Sequence, residues 1–155
     1  MWSLISCAAL TVLLISGGSV VAEDKSSQSA ANHAPSLGNI MYAVQLRHSK
    51  LWYAGKVKNW PLADYELRQL NANLREATQF HPNVAASHMT GMDKPATLLG
   101  EAIKAKDDVK FDKAFGQMTA ACNSCHEAAD RAFILIRAPT RVSPLSNQVF
   151  APRER

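Results

Sequence analysis

One short motif near the C-terminal end constrains the fold of this chain more than any other feature. Cys122, Cys125 and His126 form the pattern Cys-x-x-Cys-His. On a helix, spacings of three and four residues place these side chains on one face. Large apolar residues extend that face toward the N-terminus: Phe111, Phe115 and Met118. The motif therefore predicts a helix that turns two thiols and an imidazole toward the protein interior.

The same motif is the attachment signature of c-type haem. In that chemistry two thiols add across the vinyl groups of haem as thioethers, and the adjacent imidazole binds the iron as the proximal ligand. A thioredoxin-like redox pair is one alternative, but it would follow a strand, and no strand-rich region precedes Cys122. A zinc site is another, but it would draw its further ligands from scattered histidines. We therefore predict one covalent haem c on Cys122 and Cys125, with His126 on the iron.

The N-terminal residues predict export. Residues 4–21 are apolar apart from small side chains, and Val20 and Ala22 supply the small residues of a signal-peptidase site. We expect a signal peptide over residues 1–22 and a periplasmic location in a bacterium, although no Lys or Arg precedes the apolar run. Cleavage would remove Cys7 and leave only the two motif cysteines, which suits an oxidising compartment. The alternatives are an uncleaved membrane anchor and a lipoprotein modified at Cys7.

Apolar residues recur at three- and four-residue spacing in four stretches, so the sequence predicts an all-α protein. The predicted helices cover residues 37–53, 61–79, 95–105 and 109–133. Ser36 is the expected N-cap of the first helix and Gly55 its C-terminal stop. Asp107 and Asp108 are expected to cap the fourth helix, and residues 84–93 to form a loop.

The domain organisation follows from these helices. Residues 23–36 are polar and rich in Ser and Ala, which is typical of a flexible leader. Residues 37–137 would form the helical bundle. Residues 138–155 contain three prolines and are predicted to form an irregular tail, in which Val149 and Phe150 could dock on the bundle.

The last two predicted helices carry a recognisable pattern. It comprises Ala102-Ile103-Lys104-Ala105-Lys106-Asp107, Phe111, Ala114-Phe115 and Ala121-Cys122-Asn123-Ser124-Cys125-His126. This pattern resembles the four-helix-bundle c-type cytochromes, the cytochrome c prime and cytochrome c-556 group. The resemblance implies an antiparallel four-helix bundle with the haem on the C-terminal helix, and it carries over only Cys122, Cys125 and His126 as site residues. The chain departs from the group at Asp130, where many members have Arg, in its long tail, and in the pattern of its first helix.

The resemblance implies that the first helix faces the distal side of the haem, where two residues compete. His48 and Met41 lie on the same apolar stripe, seven residues or about 10 Å apart along the helix axis, so only one can reach the iron. His48 would give a bis-His haem of lower potential, whereas Met41 would give a His/Met haem of higher potential. An open distal site is the third outcome. His81 and His88 lie in predicted loops and are weaker candidates.

These residues favour a periplasmic electron carrier that works with a redox partner protein. The alternative is a haem protein that binds nitric oxide or carbon monoxide at an open distal position. A peroxidase would need distal acid and base residues, and the sequence shows no convincing pair, so we do not expect an enzyme. The net charge of +4 comes without a block of Lys or Arg, which disfavours nucleic-acid binding. Homodimers are common in the group that the chain resembles, so a second copy of the chain is a candidate partner. Contact with a membrane is expected only through an uncleaved signal segment.

Overall fold

All regular structure in the described part of the chain is helical. The computed structural model describes residues 34–85, 90–140 and 148–152, and these belong to one compact unit, Ala34–Arg155. The helices are α1 Leu37–Lys56, α2 Trp60–Phe80, the short α3 Pro82–Ala85, α4 Thr90–Ala105 and α5 Asp108–Ala128. None of the described helices combines the length and apolar character needed to cross a bilayer. The predicted signal peptide, residues 1–22, lies outside the described residues.

Helix α1 begins where the sequence predicts and ends three residues later than predicted. Ser36 caps it, because its Oγ accepts a hydrogen bond from the Asn39 N–H at 3.2 Å. The prediction that Gly55 stops the helix is wrong. Gly55 lies within α1 with a negative φ, and Lys58 takes the left-handed conformation that closes the helix, with φ of 57°. The Lys58 N–H donates to the Gly55 carbonyl at 2.9 Å.

Gly55 is required by packing rather than by backbone conformation. A Cβ added at this position would overlap the ring of Phe111, a fully buried residue of α5. The missing side chain therefore lets α1 approach the phenyl ring at van der Waals distance. Trp52 and Trp60 also contact this ring, with centroid distances of 6.4 and 6.0 Å. An aromatic cluster consequently joins α1, α2 and α5.

The second half of the fold departs from the prediction at the start of α4. Helix α2 begins one residue before Pro61, as Pro near a helix start allows. The sequence predicts a loop up to Asp93 and a helix from Pro95, but α4 already begins at Thr90. Pro95 lies inside the helix and lacks the N–H that would bond to the Gly91 carbonyl. The helix therefore tolerates proline one turn further in than the usual position.

Helix α5 ends at Ala128, five residues before the predicted end. The Ala129 N–H donates to the Cys125 carbonyl at 3.0 Å, and the Arg131 N–H donates to the His126 carbonyl at 2.7 Å. Between them Asp130 adopts a left-handed φ of 57°, which satisfies the last carbonyls and reverses the chain. Residues 134–140 then run without regular structure.

Contacts between α1 and α5 pair later residues of the first helix with earlier residues of the second. Three contacts define the register: Lys56 Nζ with Asp112 Oδ2 at 2.7 Å, the Trp52 ring with the Phe115 ring at 4.8 Å, and His48 Nε2 with Thr119 Oγ1 at 2.9 Å. Each step of four residues toward the N-terminus of α1 is thus matched by a step of three or four residues toward the C-terminus of α5.

A buried carboxylate joins α1 to α2. Glu66 is fully buried, and its oxygens lie 3.0 Å from Arg47 Nη1 and 3.1 Å from Lys50 Nζ. Arg47 donates a hydrogen bond to Oε2. Lys50 is at ion-pair distance from Oε1 but lacks hydrogen-bond geometry, so this oxygen accepts no hydrogen bond. Any arrangement of α1 and α2 that separated these groups would leave the buried carboxylate of Glu66 without a partner, which is costly. The ion pairs therefore favour this one pairing of α1 with α2.

The end of the tail docks on the bundle, as the sequence predicts for Phe150. Phe150 is buried, and its carbonyl accepts a hydrogen bond from Asn59 Nδ2 at 2.8 Å. Its ring lies 5.4 Å from the ring of Tyr53. Val149, in contrast, is largely exposed. One aromatic residue thus covers the turn between α1 and α2.

The overlap at Gly55 predicts an asymmetric response to two glycine substitutions. Gly55→Ala should lower the free energy of unfolding by about 2–3 kcal/mol, because the buried Phe111 ring must move to make room. Gly116→Ala is the matched control, since a Cβ on this exposed face of α5 meets nothing. It should raise the free energy of unfolding by about 0.5–1 kcal/mol through helix propensity. Urea unfolding measures both, and equal effects would contradict the packing role.

Candidate functional site

The Cys-x-x-Cys-His motif occupies the last two turns of α5. Cys122 packs against the apolar core, and Cys125 and His126 are partly exposed. Neither cysteine forms a disulfide. The helix that the motif requires is therefore present through His126 and stops two residues beyond it.

Both thiols are held in their neutral form. Burial, with a smaller effect from the neighbouring Cys125, raises the pKa of Cys122 to about 11. Burial also raises the pKa of Cys125. Reactive redox cysteines have the opposite property, because they need a lowered pKa to supply thiolate near neutral pH. The environment of these thiols therefore disfavours the thioredoxin-like alternative.

The His126 ring is oriented by the chain that follows its own helix. Its Nδ1 lies 2.8 Å from the carbonyl oxygen of Ile134. A carbonyl only accepts hydrogen bonds, so Nδ1 carries a proton, and Nε2 is the ring nitrogen that can bind a metal. Histidines that bind metals are held in this way, with the second ring nitrogen bonded to a carbonyl or carboxylate. One imidazole and two thiols on the same helix face are the side chains that covalent attachment of haem requires.

Asn123, the first variable residue of the motif, binds the same returning segment. Its Nδ2 donates to the Ile136 carbonyl at 2.9 Å, and its Oδ1 accepts from the Ile136 N–H at 2.8 Å. The side-chain amide thus pairs with one residue of main chain through two hydrogen bonds. The sequence does not predict this pairing, because the two residues are 13 positions apart and lie on either side of a helix end.

His48 is a neutral histidine of the core. It is 2% exposed, and its ring lies 4.4 Å from that of Phe115. The Thr119 hydroxyl donates to the Phe115 carbonyl at 2.9 Å, so its oxygen accepts from His48 Nε2, also at 2.9 Å. Burial lowers the pKa of His48 to about 4. The Nε2 that would be needed for an axial ligand is therefore protonated and bound to Thr119.

Thr119 is a residue that the sequence analysis missed. It lies on the stripe of α5 formed by Phe115, Cys122 and His126, where a hydroxyl group is unusual. A polar residue on an apolar helix face signals a buried hydrogen bond. The sequence therefore indicates a buried hydrogen bond at Thr119, but it does not indicate that the partner is His48 on α1.

Met41 is the other candidate distal residue. Its side chain is half-buried on α1 and packs against the core. His81 lies at the end of α2, where its Nε2 contacts the Pro35 carbonyl at 2.9 Å, and His88 lies outside the described residues. Among the described residues, no three His, Cys, Asp or Glu side chains cluster as a metal site would require. A haem iron needs no such cluster, because the porphyrin supplies four of its ligands.

A separate cleft lies between α2 and α4. Its volume is about 700 Å³, and its lining includes Leu67, Arg75 and Met92. All its lining residues come from these two helices, so it does not contain the motif.

The comparisons with known proteins give no match. No family model matches the chain, and neither a curated protein nor a solved structure matches it. Inference about function therefore rests on the residues and geometry of this chain.

The lowered pKa of His48 predicts a pH-dependent loss of stability. Above pH 6.5 the imidazole is neutral in both the folded and unfolded states. Between pH 6.5 and about 4 the unfolded chain binds a proton that the folded chain does not. The free energy of unfolding should therefore fall with falling pH, by up to about 1.4 kcal/mol per pH unit from this group.

His48→Gln isolates this contribution, because the amide can still donate to Thr119 but does not titrate. Urea unfolding of both proteins from about pH 7 to about pH 5 measures the slopes, and carboxylates contribute equally to both. The wild-type slope should be steeper. Equal slopes would contradict a neutral, buried His48.

Proposed function

We propose that this chain is a c-type cytochrome that carries one covalent haem c and transfers electrons in the bacterial periplasm. The observation that carries the proposal is the orientation of His126, with Nδ1 bonded to the Ile134 carbonyl and Nε2 left as a metal ligand on the helix that bears Cys122 and Cys125. When bound, haem would supply a reversible one-electron iron couple. The redox partner would be a protein, and no nucleic acid is involved.

The proposed architecture is an antiparallel four-helix bundle with the haem on α5. The contacts between α1 and α5 support opposite directions for these helices, because the residue numbers rise along one as they fall along the other. Arg47 and Lys50 of α1 reach Glu66 of α2, while Pro35 before α1 contacts His81 after α2. These pairs support opposite directions for α1 and α2 as well.

The same register favours Met41 over His48 as the distal residue. His48 contacts Thr119. Seven residues back along α1 from His48 is Met41, and seven residues forward along α5 from Thr119 is His126. Seven residues correspond to about 10 Å on each helix, so Met41 comes level with His126. His48 is level with a position two turns before the proximal ligand.

Each residue then has a defined part in the site. Cys122 and Cys125 hold the cofactor covalently, and His126 offers Nε2 from one side. Met41 offers a thioether from the other side, which raises the reduction potential relative to a second imidazole. A filled distal position suits electron transfer, since no ligand has to be released when the iron changes its oxidation state. Export through residues 1–22 belongs to the proposal, because haem attachment of this kind takes place outside the bacterial cytoplasm.

Covalent haem is tested by expressing the full chain in a bacterium that matures c-type cytochromes. The alkaline pyridine spectrum should be that of haem with two thioethers, and the intact mass should equal residues 23–155 plus one haem. Cys122→Ala should move the pyridine band toward that of haem with a single thioether, whereas Ser124→Ala, an exposed neighbour, should leave it unchanged. A chain that purifies without haem would refute the proposed function.

The distal ligand is tested with carbon monoxide and two variants. The ferrous spectrum of the wild-type protein should be unchanged by carbon monoxide, because Met41 occupies the sixth position. Met41→Leu should open that position, so that carbon monoxide shifts the spectrum and the midpoint potential falls. His48→Gln is the matched control on the same helix face and should behave like the wild type.

Two results would redirect the assignment. A wild-type protein that binds carbon monoxide fully would favour the gas-binding alternative with an open distal site. A His48→Gln variant that alone gains carbon monoxide binding would make His48 the ligand.

A further inference from the structure

The segment that follows α5 is placed by hydrogen bonds rather than by apolar packing. Ala138 packs against the core, but residues 130–135 remain at the surface, with Phe133 81% and Leu135 77% exposed. Burial of these residues therefore contributes little to holding the segment against the helix. Two hydrogen bonds between the Asn123 side chain and the main chain of Ile136 hold the segment to α5, in addition to the bond between His126 and Ile134.

The geometry couples this pairing to the His126 ring. The chain runs back along α5, so that Asn123 meets Ile136 and His126 meets Ile134. The carbonyl groups of Ile134 and Ile136 both face α5, since each accepts a hydrogen bond from a side chain of that helix. On the helix, positions 123 and 126 are neighbours at a spacing of three. Fixing the main chain at Ile136 therefore also fixes the direction of the Ile134 carbonyl that accepts the Nδ1 proton.

We infer that Asn123 is a positioning residue for the proximal ligand, acting on His126 through the main chain of residues 134–136. Asn123 holds the segment, and the Ile134 carbonyl in turn sets the tautomer and the rotation of the imidazole. A strong Nδ1–H···O=C hydrogen bond makes an imidazole a better donor to a metal. A better donor stabilises the ferric state, so Asn123 lowers the reduction potential of the haem. The last step rests on the proposed function, whereas the pairing itself does not.

The test compares three variants of the purified full chain: Asn123→Ala, Asn123→Asp and Ser124→Ala. Asn123→Ala removes both hydrogen bonds to Ile136. Asn123→Asp keeps an oxygen that accepts the Ile136 N–H but loses the donor to its carbonyl. Ser124→Ala is the control for a change at a variable position of the motif, because Ser124 is exposed.

Two readouts do not depend on electron-transfer activity. Amide hydrogen exchange at Ile136 should be roughly five- to tenfold faster in Asn123→Ala than in the control, as expected for the loss of a hydrogen bond. The nitrogen chemical shifts of His126 should report a protonated Nδ1 in the control and a loss of that single tautomer in Asn123→Ala. In the haem-loaded protein, the midpoint potential should shift upward in Asn123→Ala, whereas in Asn123→Asp the added negative charge stabilises the ferric state and offsets that shift.

The outcomes separate the inference from the proposed function. If the chain carries no haem, the exchange rate of Ile136 and the His126 tautomer still decide whether Asn123 positions the ring. If haem is attached but Asn123→Ala matches Ser124→Ala in both the tautomer and the potential, the positioning role is refuted. If Asn123→Ala unfolds, Asn123→Asp provides the comparison through the His126 tautomer, and the same single Nδ1-protonated tautomer as in the control refutes the role.

Discussion

The hydrogen bond between His48 and Thr119 determines how the two halves of the site face one another. It joins the middle of α1 to α5 inside an apolar core, where a polar group without a partner would be costly. The bond is 2.9 Å long, and a second bond from Thr119 to the Phe115 carbonyl fixes which group donates. A slip of one turn between the helices would leave both side chains unpaired. The register that brings Met41 level with His126 therefore depends on a residue that does not itself belong to the proposed haem ligands.

The α1–α2 pair depends on a charged cluster in the same way. Glu66 faces Arg47 and Lys50 from a fully buried position, and one of its oxygens accepts no hydrogen bond. Such a cluster adds little to stability compared with apolar packing, but it penalises every arrangement that separates the partners. Two polar links thus set the position of α1 along both of its neighbours. The apolar stripes supply the driving force for packing, and they are too uniform to specify one register.

The sequence predicts those parts of the fold that depend on local interactions. The Ser36 cap, the end of α4 at Ala105 and the Asp107 cap of α5 follow from side chains within one turn of the helix end, and all three predictions are confirmed. Contacts distant in sequence explain the failures. In the sequence Gly55 has the features of a helix stop. The reason for a glycine at this position is its close approach to Phe111, which lies on another helix and is distant in the sequence. The buried Glu66 could not be anticipated, since glutamate is rarely buried and its spacing on α2 gives no sign of a cluster.

The early end of α5 shows why the candidate site was only partly predictable. The helical spacing of the motif predicts that Cys122, Cys125 and His126 share a face, and α5 continues through all three. Had the helix continued to Phe133 as predicted, Ile134 would lie about 12 Å along the axis from His126, and its carbonyl would be out of reach of the ring. Because it stops at Ala128 and Asp130 reverses the chain, a main-chain carbonyl becomes available to the imidazole of His126. The orientation of the candidate ligand is therefore a property of the helix end and of the asparagine that holds the returning chain, and neither is encoded in the spacing of the motif.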